Sequence, residues 1–270
     1  MSTPYTKKQF HLCIDENDIG KYVILPGDPG RVEKIAALLD NPQRVAQNRE
    51  YTTYTGSLNG TAVSVTSTGI GGASAAIAAE ELIRCGAHTL IRVGTSGGMK
   101  TTVSGGDLVV AAAATRSEGT SHEYLPEAYP AVADFSVVNA LYDAAATLSS
   151  DEDGKRCHVG VVHSKDSFYG ETNPETMPVC SKLNEAWDAF VRCGCLTSEM
   201  ECAALFAVAA ARGIRAGAVL TVLWNAELSK KGVDGLVTFD SGRAIRCATD
   251  AIALLIERDR RKGSADARGI

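Results

Sequence analysis

The sequence lacks the features of several large protein classes. Its 270 residues include 27 Lys and Arg against 32 Asp and Glu, which gives a formal net charge of −5. Proteins that bind nucleic acid usually carry a basic excess, so no nucleic-acid partner is expected and any anion site must be local. No run reaches the roughly 18 to 20 apolar residues of a membrane span, and residues 1–10 lack a signal peptide's apolar core. We therefore expect a cytoplasmic protein with no membrane partner.

The cysteines also exclude a class of site. Eight are present, but none has the paired spacing typical of metal ligands, and Cys193 and Cys195 form the only close pair. In an intracellular chain of this size, buried reduced thiols are more common than disulfide bridges. We predict reduced cysteines and no cofactor.

Hydrophobic periodicity indicates alternating strands and helices. The 45% of hydrophobic residues is enough for a large core. Strands are predicted at 22–25, 51–56, 62–66, 89–93, 108–112, 158–163 and 216–223, and helices from 32 and at 73–85, 137–148, 181–192, 199–212 and 241–260. No linker divides the chain, so we predict a single α/β domain over residues 1–270 with a frayed tail at 261–270.

The first predicted strand ends in a turn suited to an anion. Tyr22–Leu25 is followed by Pro26-Gly27-Asp28-Pro29-Gly30 and then by Arg31 at the start of a helix. Unpaired N–H groups in the turn and at the helix start, together with an arginine fork, can hold a phosphate. An ordinary strand-turn-helix corner with a solvent-facing arginine explains the same residues equally well.

Two further glycine-rich segments are predicted to be turns. Residues 69–72 and 94–98 each follow a predicted strand, as Gly27 does. In open α/β sheets ligands bind beyond the carboxyl ends of the strands. We therefore expect the three glycine segments to line one cleft.

Five ordered motifs, spread between about His11 and Trp224, resemble those of the nucleoside phosphorylase family with a single-domain α/β fold. They are Pro26-Gly27-Asp28-Pro29 with Arg31, Arg49-Glu50-Tyr51, Ser67-Thr68-Gly69-Ile70-Gly71-Gly72, Arg92-Val93-Gly94-Thr95-Ser96-Gly97 and Ser198-Glu199-Met200-Glu201. The resemblance implies a three-layer α/β/α sandwich with a mixed, distorted central sheet. It also implies self-association into at least a dimer with shared active sites.

The resemblance assigns a phosphate clamp to residues of three motifs. Gly27, Arg31, Arg92 and Thr95 would hold inorganic phosphate, the co-substrate, with Arg49 supplied across the subunit interface. Guanidinium groups can bind a dianion bidentately, which lysine does less well. Each arginine alone is more commonly a surface or salt-bridge residue.

Ribose binding is implied for Met200 and Glu201, and for His11 reaching over from the partner subunit. The Glu201 carboxylate can accept hydrogen bonds from two ribose hydroxyls and stabilise positive charge that develops on the sugar ring. A glutamate at a helix start also complements the helix dipole, and a histidine near a chain start is commonly just exposed.

Base recognition departs from the family pattern. Members that act on uridine carry Gln and Arg shortly after Phe-Tyr, but here Phe168-Tyr169 is followed by Gly170-Glu171-Thr172-Asn173. We predict that Phe168 stacks on the base while Thr172 and Asn173 form hydrogen bonds with it. Ala226 stands where purine-cleaving relatives have an aspartate acid, which favours a pyrimidine substrate.

The resemblance implies a reaction and two accessory features. The expected activity is phosphorolysis of uridine to uracil and ribose 1-phosphate in nucleoside salvage. The alternatives are a purine nucleoside phosphorylase, a nucleoside hydrolase and a catalytically silent nucleoside-binding protein. Glu50, Ile70 and Ser74 match positions that hold a monovalent cation between subunits, and residues 227–240 would form either a lid or an exposed connector.

Overall fold

The computed structural model describes residues 8–149, 155–233 and 237–266. Its strands are β1 (Tyr22–Pro26), β2 (Asp40–Asn48), β3 (Tyr51–Leu58), β4 (Thr61–Thr66), β5 (Thr89–Gly98), β6 (Leu108–Ser117), β7 (Ala131–Val132), β8 (Cys157–Lys165), β9 (Thr197–Glu199) and β10 (Arg215–Asn225). Its α-helices are α1 (Val32–Ala36), α2 (Gly72–Arg84), α3 (Thr120–Tyr124), α4 (Phe135–Ser149), α5 (Phe168–Thr172), α6 (Cys180–Arg192), α7 (Cys202–Arg212), α8 (Ala226–Lys230) and α9 (Gly242–Asp266).

The strands form one mixed sheet, as predicted. Their order is β10-β6-β8-β9-β5-β1-β4-β3-β2, with β7 beside β6. Strand β10 also pairs with β5, so β5, β10, β6, β8 and β9 close into a ring. Strands β1, β4, β3 and β2 extend from this ring as an open sheet, and this combination is the distortion of the central layer.

Helices cover both faces of the sheet. One core contains Leu82 of α2 and Phe206 of α7, while the other contains Ile35 of α1, Leu141 of α4 and Ile252 of α9. Because each face of a sheet must bury its apolar side chains against another layer, these helices complete a three-layer arrangement. The predicted α/β/α sandwich is confirmed.

The predicted turn at residues 94–98 is wrong, because these glycines continue β5. Gly94 pairs with Leu220 and Gly98 pairs with Asn225 on β10. A Cβ on Gly98 would lie 2.5 Å from Nδ2 of Asn225, so the lack of a side chain permits close strand packing there rather than a bend.

Other boundaries also differ from the sequence predictions. Residues Thr197–Glu199 form β9, so the helix predicted from 199 begins at Cys202, and strand β2 was not predicted. The last helix extends to Asp266 rather than ending near 260. Residues 267–270 of the predicted tail and 234–236 of the lid or connector lie outside the described residues.

No disulfide bond joins the cysteines, all of which lie in the described residues. All eight cysteines are free thiols, of which Cys193 is exposed while Cys85, Cys195, Cys202 and Cys247 are buried. Among the described helices, none combines the length and apolar character that crossing a membrane requires.

Candidate active site

The turn after β1 is stabilised by its own aspartate. Oδ1 of Asp28 accepts the N–H of Gly30 at 2.8 Å, and the Asp28 carbonyl accepts the N–H of Arg31 at 3.1 Å. These two N–H groups are therefore already hydrogen-bonded, and the predicted role of the helix start in holding an anion is wrong for them. The charge of the site must come from side chains.

Two guanidinium groups meet in front of Gly27. A Cβ built on Gly27 would lie 3.8 Å from Nη2 of Arg31, 3.8 Å from Nη1 of Arg92 and 3.2 Å from the carbonyl oxygen of Gly69. Any larger residue at position 27 would extend into the space between the two arginines. The sequence prediction that Gly27, Arg31 and Arg92 share one site agrees with this geometry.

Both arginines retain capacity for an anion. The Arg31 side chain is 16% exposed, and its nearest carboxylate oxygen, on Asp28, is 3.9 Å from Nε. Burial lowers the pKa of Arg31, and the neighbouring charge of Arg92 lowers it further. Nη1 of Arg92 is buried with no hydrogen-bond partner among the described residues. Because buried donors are normally paired, a second acceptor is expected between the two cations.

Arg92 is bound on its other side by two glutamates. Its Nη2 donates to Oε2 of Glu201, and its Nε lies 3.4 Å from Oε2 of Glu199. Burial opposes the charge of Arg92, but the carboxylates of Glu201 and Glu199 raise its pKa above the ordinary value. The N–H of Gly71 donates to Oε1 of Glu201 at 2.6 Å, so the second glycine segment also reaches this site.

Glu199 is a functional residue that the sequence analysis did not assign. Its carboxylate accepts the N–H of Glu201 at 2.8 Å and of Cys202 at 3.0 Å, and also the hydroxyl of Ser164. These bonds fix the start of α7 and hold the Glu199 carboxylate against Nε of Arg92. In the sequence, Glu199 could be noticed only as the first of two glutamates two residues apart, and only the second, Glu201, was assigned a role.

His11 contacts the residue that precedes Arg49. Nδ2 of Asn48 donates to the His11 carbonyl at 2.8 Å, so the residue before Arg49 is fixed to His11. The N–H of His11 donates to Glu81 at 3.0 Å, and its Nδ1 is 2.7 Å from the same carboxylate. Arg49 is exposed at the β2–β3 turn with φ of 54°.

Thr95 and Met200 lie close to the central residues in sequence, and both are half-buried. Thr95 is three residues beyond Arg92 on β5, opposite Thr221 of β10. Met200 separates Glu199 from Glu201. Their assigned roles in phosphate and ribose binding remain predictions.

A cavity of about 720 Å³ lies at the end of β5, and its described lining does not include Arg31, Arg92 or Glu201. Its walls include Trp187 and Phe190 of α6, Trp224 of β10, and Gly97. Ala226 also lines it, so the position where purine-cleaving relatives have an acid faces the cavity without a carboxylate. The cavity is large enough for a nucleobase, and its walls combine the rings of Trp187, Phe190 and Trp224 with polar side chains, as expected for such a site.

The three residues predicted to contact the base differ in where they lie relative to the cavity. Thr172 lines the cavity, but its hydroxyl lies 3.0 Å from the Phe168 carbonyl and 3.1 Å from Oδ1 of Asn173. The Phe168 ring is 52% exposed and packs edge-on against Tyr169, with 5.4 Å between ring centroids. Asn173 is exposed.

Two polar cavity residues to which the sequence analysis gave no contact lie on β8 and α5, and both bind Ser198 of β9. Nζ of Lys165 lies 2.8 Å from Oε1 of Glu171 and donates to Oγ of Ser198 at 2.6 Å. The Ser198 hydroxyl in turn donates to Oε2 of Glu171 at 2.6 Å. The pairing of β8 with β9 brings Ser198, which is distant in sequence, to Lys165 and Glu171.

The residues predicted to hold a cation are adjacent. The Ser74 hydroxyl donates to Oε1 of Glu50 at 3.0 Å, and Ile70, next to Gly69, is 79% exposed. A Cβ on Gly69 would lie 2.7 Å from Oγ of Ser74 and 2.8 Å from Cγ of Glu50, so glycine is needed for this packing. Carboxylate and hydroxyl oxygens at the surface fit a hard cation.

The sequence is similar to those of known proteins over nearly the whole chain. The sequence profile of the phosphorylase superfamily matches residues 21–257. A uridine phosphorylase of Treponema pallidum (strain Nichols) is 51% identical over 254 residues, which are 94% of this chain and 96% of that protein. A uridine phosphorylase of Thermococcus kodakarensis is 41% identical over 96% of this chain and 91% of its own length. A guanosine phosphorylase of Halorubrum lacusprofundi is 40% identical over 92% of this chain and 99% of its own length.

Proposed function

The chain belongs to the phosphorylase superfamily, and we propose that it catalyses the phosphorolysis of uridine to uracil and ribose 1-phosphate. Two uridine phosphorylases are 51% and 41% identical to it over nearly the whole chain. The structural observation that carries the proposal is the convergence of Arg31 and Arg92 on the open space at Gly27, with Glu201 bound to the same Arg92. This arrangement joins an anion site to a carboxylate suited to a sugar.

The reaction needs each of these groups. A phosphate oxygen forms a bond to C1′ of the ribose, while the bond from C1′ to N1 of the base breaks and its electron pair leaves with the base. Arg31 and Arg92 would hold the phosphate below C1′ and neutralise it. Glu201 would accept the ribose hydroxyls and stabilise the positive charge that develops on the sugar ring. The base would occupy the aromatic cavity beside Trp187 and Trp224.

A shared active site between two copies of this chain is part of the proposal. The Asn48 side chain binds the His11 carbonyl, and Arg49, the next residue, is exposed with a strained backbone. An exposed arginine beside the His11 segment is suited to complete the site of a neighbouring subunit. We further propose that Glu50, Ser74 and Ile70 hold a monovalent cation at this interface, and that the enzyme acts in the cytoplasm.

Guanosine phosphorolysis is the second candidate, because one relative carries that name. A purine leaves most easily when N7 is protonated. Ala226 lines the cavity and cannot supply that proton. Uridine therefore remains the preferred substrate.

Base release measures the proposed function directly. The purified protein is incubated with uridine, inosine or guanosine, with and without phosphate, and free base and ribose 1-phosphate are quantified by chromatography. We expect uracil and ribose 1-phosphate in equal amounts, and only with phosphate present. Uracil without phosphate would identify a hydrolase, and the absence of any turnover would identify a binding protein.

A further inference from the structure

The polar wall of the cavity is a buried ion pair with hydrogen-bonding capacity left over. The side chain of Lys165 is 11% exposed and that of Glu171 is 15% exposed, and both line the cavity. The ammonium has three donors, of which Glu171 and Ser198 take two. Each carboxylate oxygen of Glu171 accepts one bond from these partners, and a carboxylate has about four acceptor positions.

Hydrogen bonds connect this pair to the residues that we propose bind ribose and phosphate. Ser198, which bonds both members, is on the segment that continues to Glu199 and Glu201. Ser164, the neighbour of Lys165, donates its hydroxyl to Glu199, which lies against Arg92. The pair is therefore linked through Ser198 and Ser164 to the residues that bind Arg92, while Lys165 and Glu171 themselves line the cavity proposed for the base.

The neighbouring histidine leaves the Glu171 carboxylate available. Nε2 of His163 is 3.7 Å from Oε2 of Glu171, its Nδ1 lies 2.8 Å from Oγ1 of Thr115, and its ring stacks on Phe190. Burial lowers the pKa of His163 to about 4, and the charge of Lys165 contributes to this decrease. The imidazole is thus neutral near pH 7 and does not compete with Lys165 as a cation.

We propose that Lys165 and Glu171 read the base, and that they select nucleosides whose base presents an N–H beside a carbonyl group. Glu171 accepts the N–H and Lys165 donates to the adjacent carbonyl oxygen. In uracil this edge is N3–H with a neighbouring carbonyl, and hypoxanthine and guanine present N1–H with C6=O. This inference rests on the proposed function and replaces Thr172 and Asn173 as the principal base contacts.

The same pair rejects amino bases. Cytosine and adenine present a bare ring nitrogen beside an amino group, so a lone pair would face the Glu171 carboxylate and N–H groups would face the Lys165 ammonium. Buried donors and acceptors left unmatched lose far more binding free energy than a missing apolar contact. The pair therefore gives this chain a choice between oxo and amino bases without the Gln and Arg typical of its family.

The test compares kcat/KM for uridine and cytidine in the wild-type protein and in Lys165→Met, Lys165→Arg and Glu171→Gln. The wild type should prefer uridine by at least about a hundredfold. Lys165→Met and Glu171→Gln should narrow that ratio about tenfold or more, chiefly through KM, and Lys165→Arg should retain it. Lys182→Met and Glu185→Gln, at exposed positions on α6, are the matched controls and should leave the ratio unchanged.

Two readouts separate the possible failures. If Lys165→Met and Glu171→Gln lower uridine and cytidine turnover equally, the pair is only structural and the inference is wrong. Cytidine turnover within tenfold of uridine turnover in the wild type would also overturn it. If the wild type shows no phosphate-dependent uridine turnover, the proposed function fails, and calorimetric binding of uracil against cytosine still tests the pair. Equal affinity for the two free bases would refute the proposed role of Lys165 and Glu171 in base recognition.

Discussion

Arg92 and Glu201 form a buried ion pair in which Nη1 of the arginine has no hydrogen-bond partner in the described parts of the chain and lies near the space shared with Arg31. The proposed phosphate ligand and the proposed ribose ligand therefore constrain each other before any substrate binds. Such preorganisation reduces the reorganisation needed when negative charge on phosphate and positive charge on ribose come together. It also means that the two arginines differ in what their removal does to the protein.

We predict that Arg31→Ala and Arg92→Ala both lower kcat/KM for phosphate by about a hundredfold or more, because each removes a charge-assisted contact worth roughly 3 kcal/mol. Only Arg92→Ala should also lower the free energy of unfolding strongly, by about 3 to 5 kcal/mol, because it leaves Glu199 and Glu201 buried without their counter-ion. Phosphate titrations of activity and urea unfolding measure the two effects.

The control for this pair is Arg44→Ala, which removes an exposed arginine whose guanidinium bonds Gln47 on the same strand. It should change neither the phosphate dependence nor the stability appreciably. Wild-type phosphate dependence in Arg31→Ala would contradict the clamp. Unchanged stability in Arg92→Ala would show that the buried carboxylates do not depend on it.

Subunit mixing tests whether Arg49 serves a neighbouring site. Inactive Arg49→Ala and inactive Glu201→Gln protomers are mixed and allowed to exchange, and uridine turnover is followed. Half of the dimers are hybrids, and each hybrid has one site with both natural groups, so activity should recover to about a quarter of the wild-type value.

The matched control mixes Glu201→Gln with Arg92→Ala, whose side chains belong to one site within one chain. No hybrid site then contains both natural groups, and no recovery is expected. If the Arg49→Ala mixture also fails to recover after exchange is verified, Arg49 acts within its own subunit or not at all.

The sequence predicted the parts of the site that depend on local turn chemistry. The Pro26-Gly27 corner, the helix that follows and the arginines after two interior strands were predicted because proline, glycine and apolar runs have strong local preferences. The glycines at 94–98 led to a wrong prediction, because a glycine-rich segment considered alone is typical of a turn. Pairing with β10 overrides that preference.

The polar side of the cavity could not be predicted in the same way. Lys165, Glu171 and Ser198 belong to three different elements, and Ser198 reaches the other two because β8 and β9 are neighbours. Strand β2 was missed for a related reason, because it is a polar edge strand defined by its pairing with β3 rather than by an apolar pattern.

Burial of His163 should make stability sensitive to acid. Its pKa is lowered from 6.5 to about 4 in the folded protein, so the unfolded chain takes up a proton first as the pH falls. The stabilisation is fully present above about pH 6.5 and is lost as the pH falls through 4, with a loss of about 2 kcal/mol already at pH 5.

Urea unfolding at pH 7.5 and pH 5 detects this contribution. We expect His163→Gln to lose less stability between the two pH values than the wild type does, by about 2 kcal/mol. His122→Gln, which alters an exposed histidine paired with Glu127, should remain as acid-sensitive as the wild type. Equal acid sensitivity in His163→Gln and the wild type would mean that other groups dominate.

The wild type should prefer uridine to inosine, because Ala226 faces the cavity without a group that can protonate a departing purine. Ala226→Asp places a carboxylic acid at the first residue of α8, next to the N-cap Asn225, where an acidic side chain also suits the helix dipole. It should raise the ratio of kcat/KM for inosine to that for uridine about tenfold or more, most strongly at mildly acidic pH where more of the acid is protonated. Ala226→Asn has nearly the same size and cannot donate a proton from a carboxyl group, so it should leave that ratio close to the wild-type value. If inosine equals uridine in the wild type, or if Asn acts as well as Asp, purine protonation at position 226 does not set the base preference.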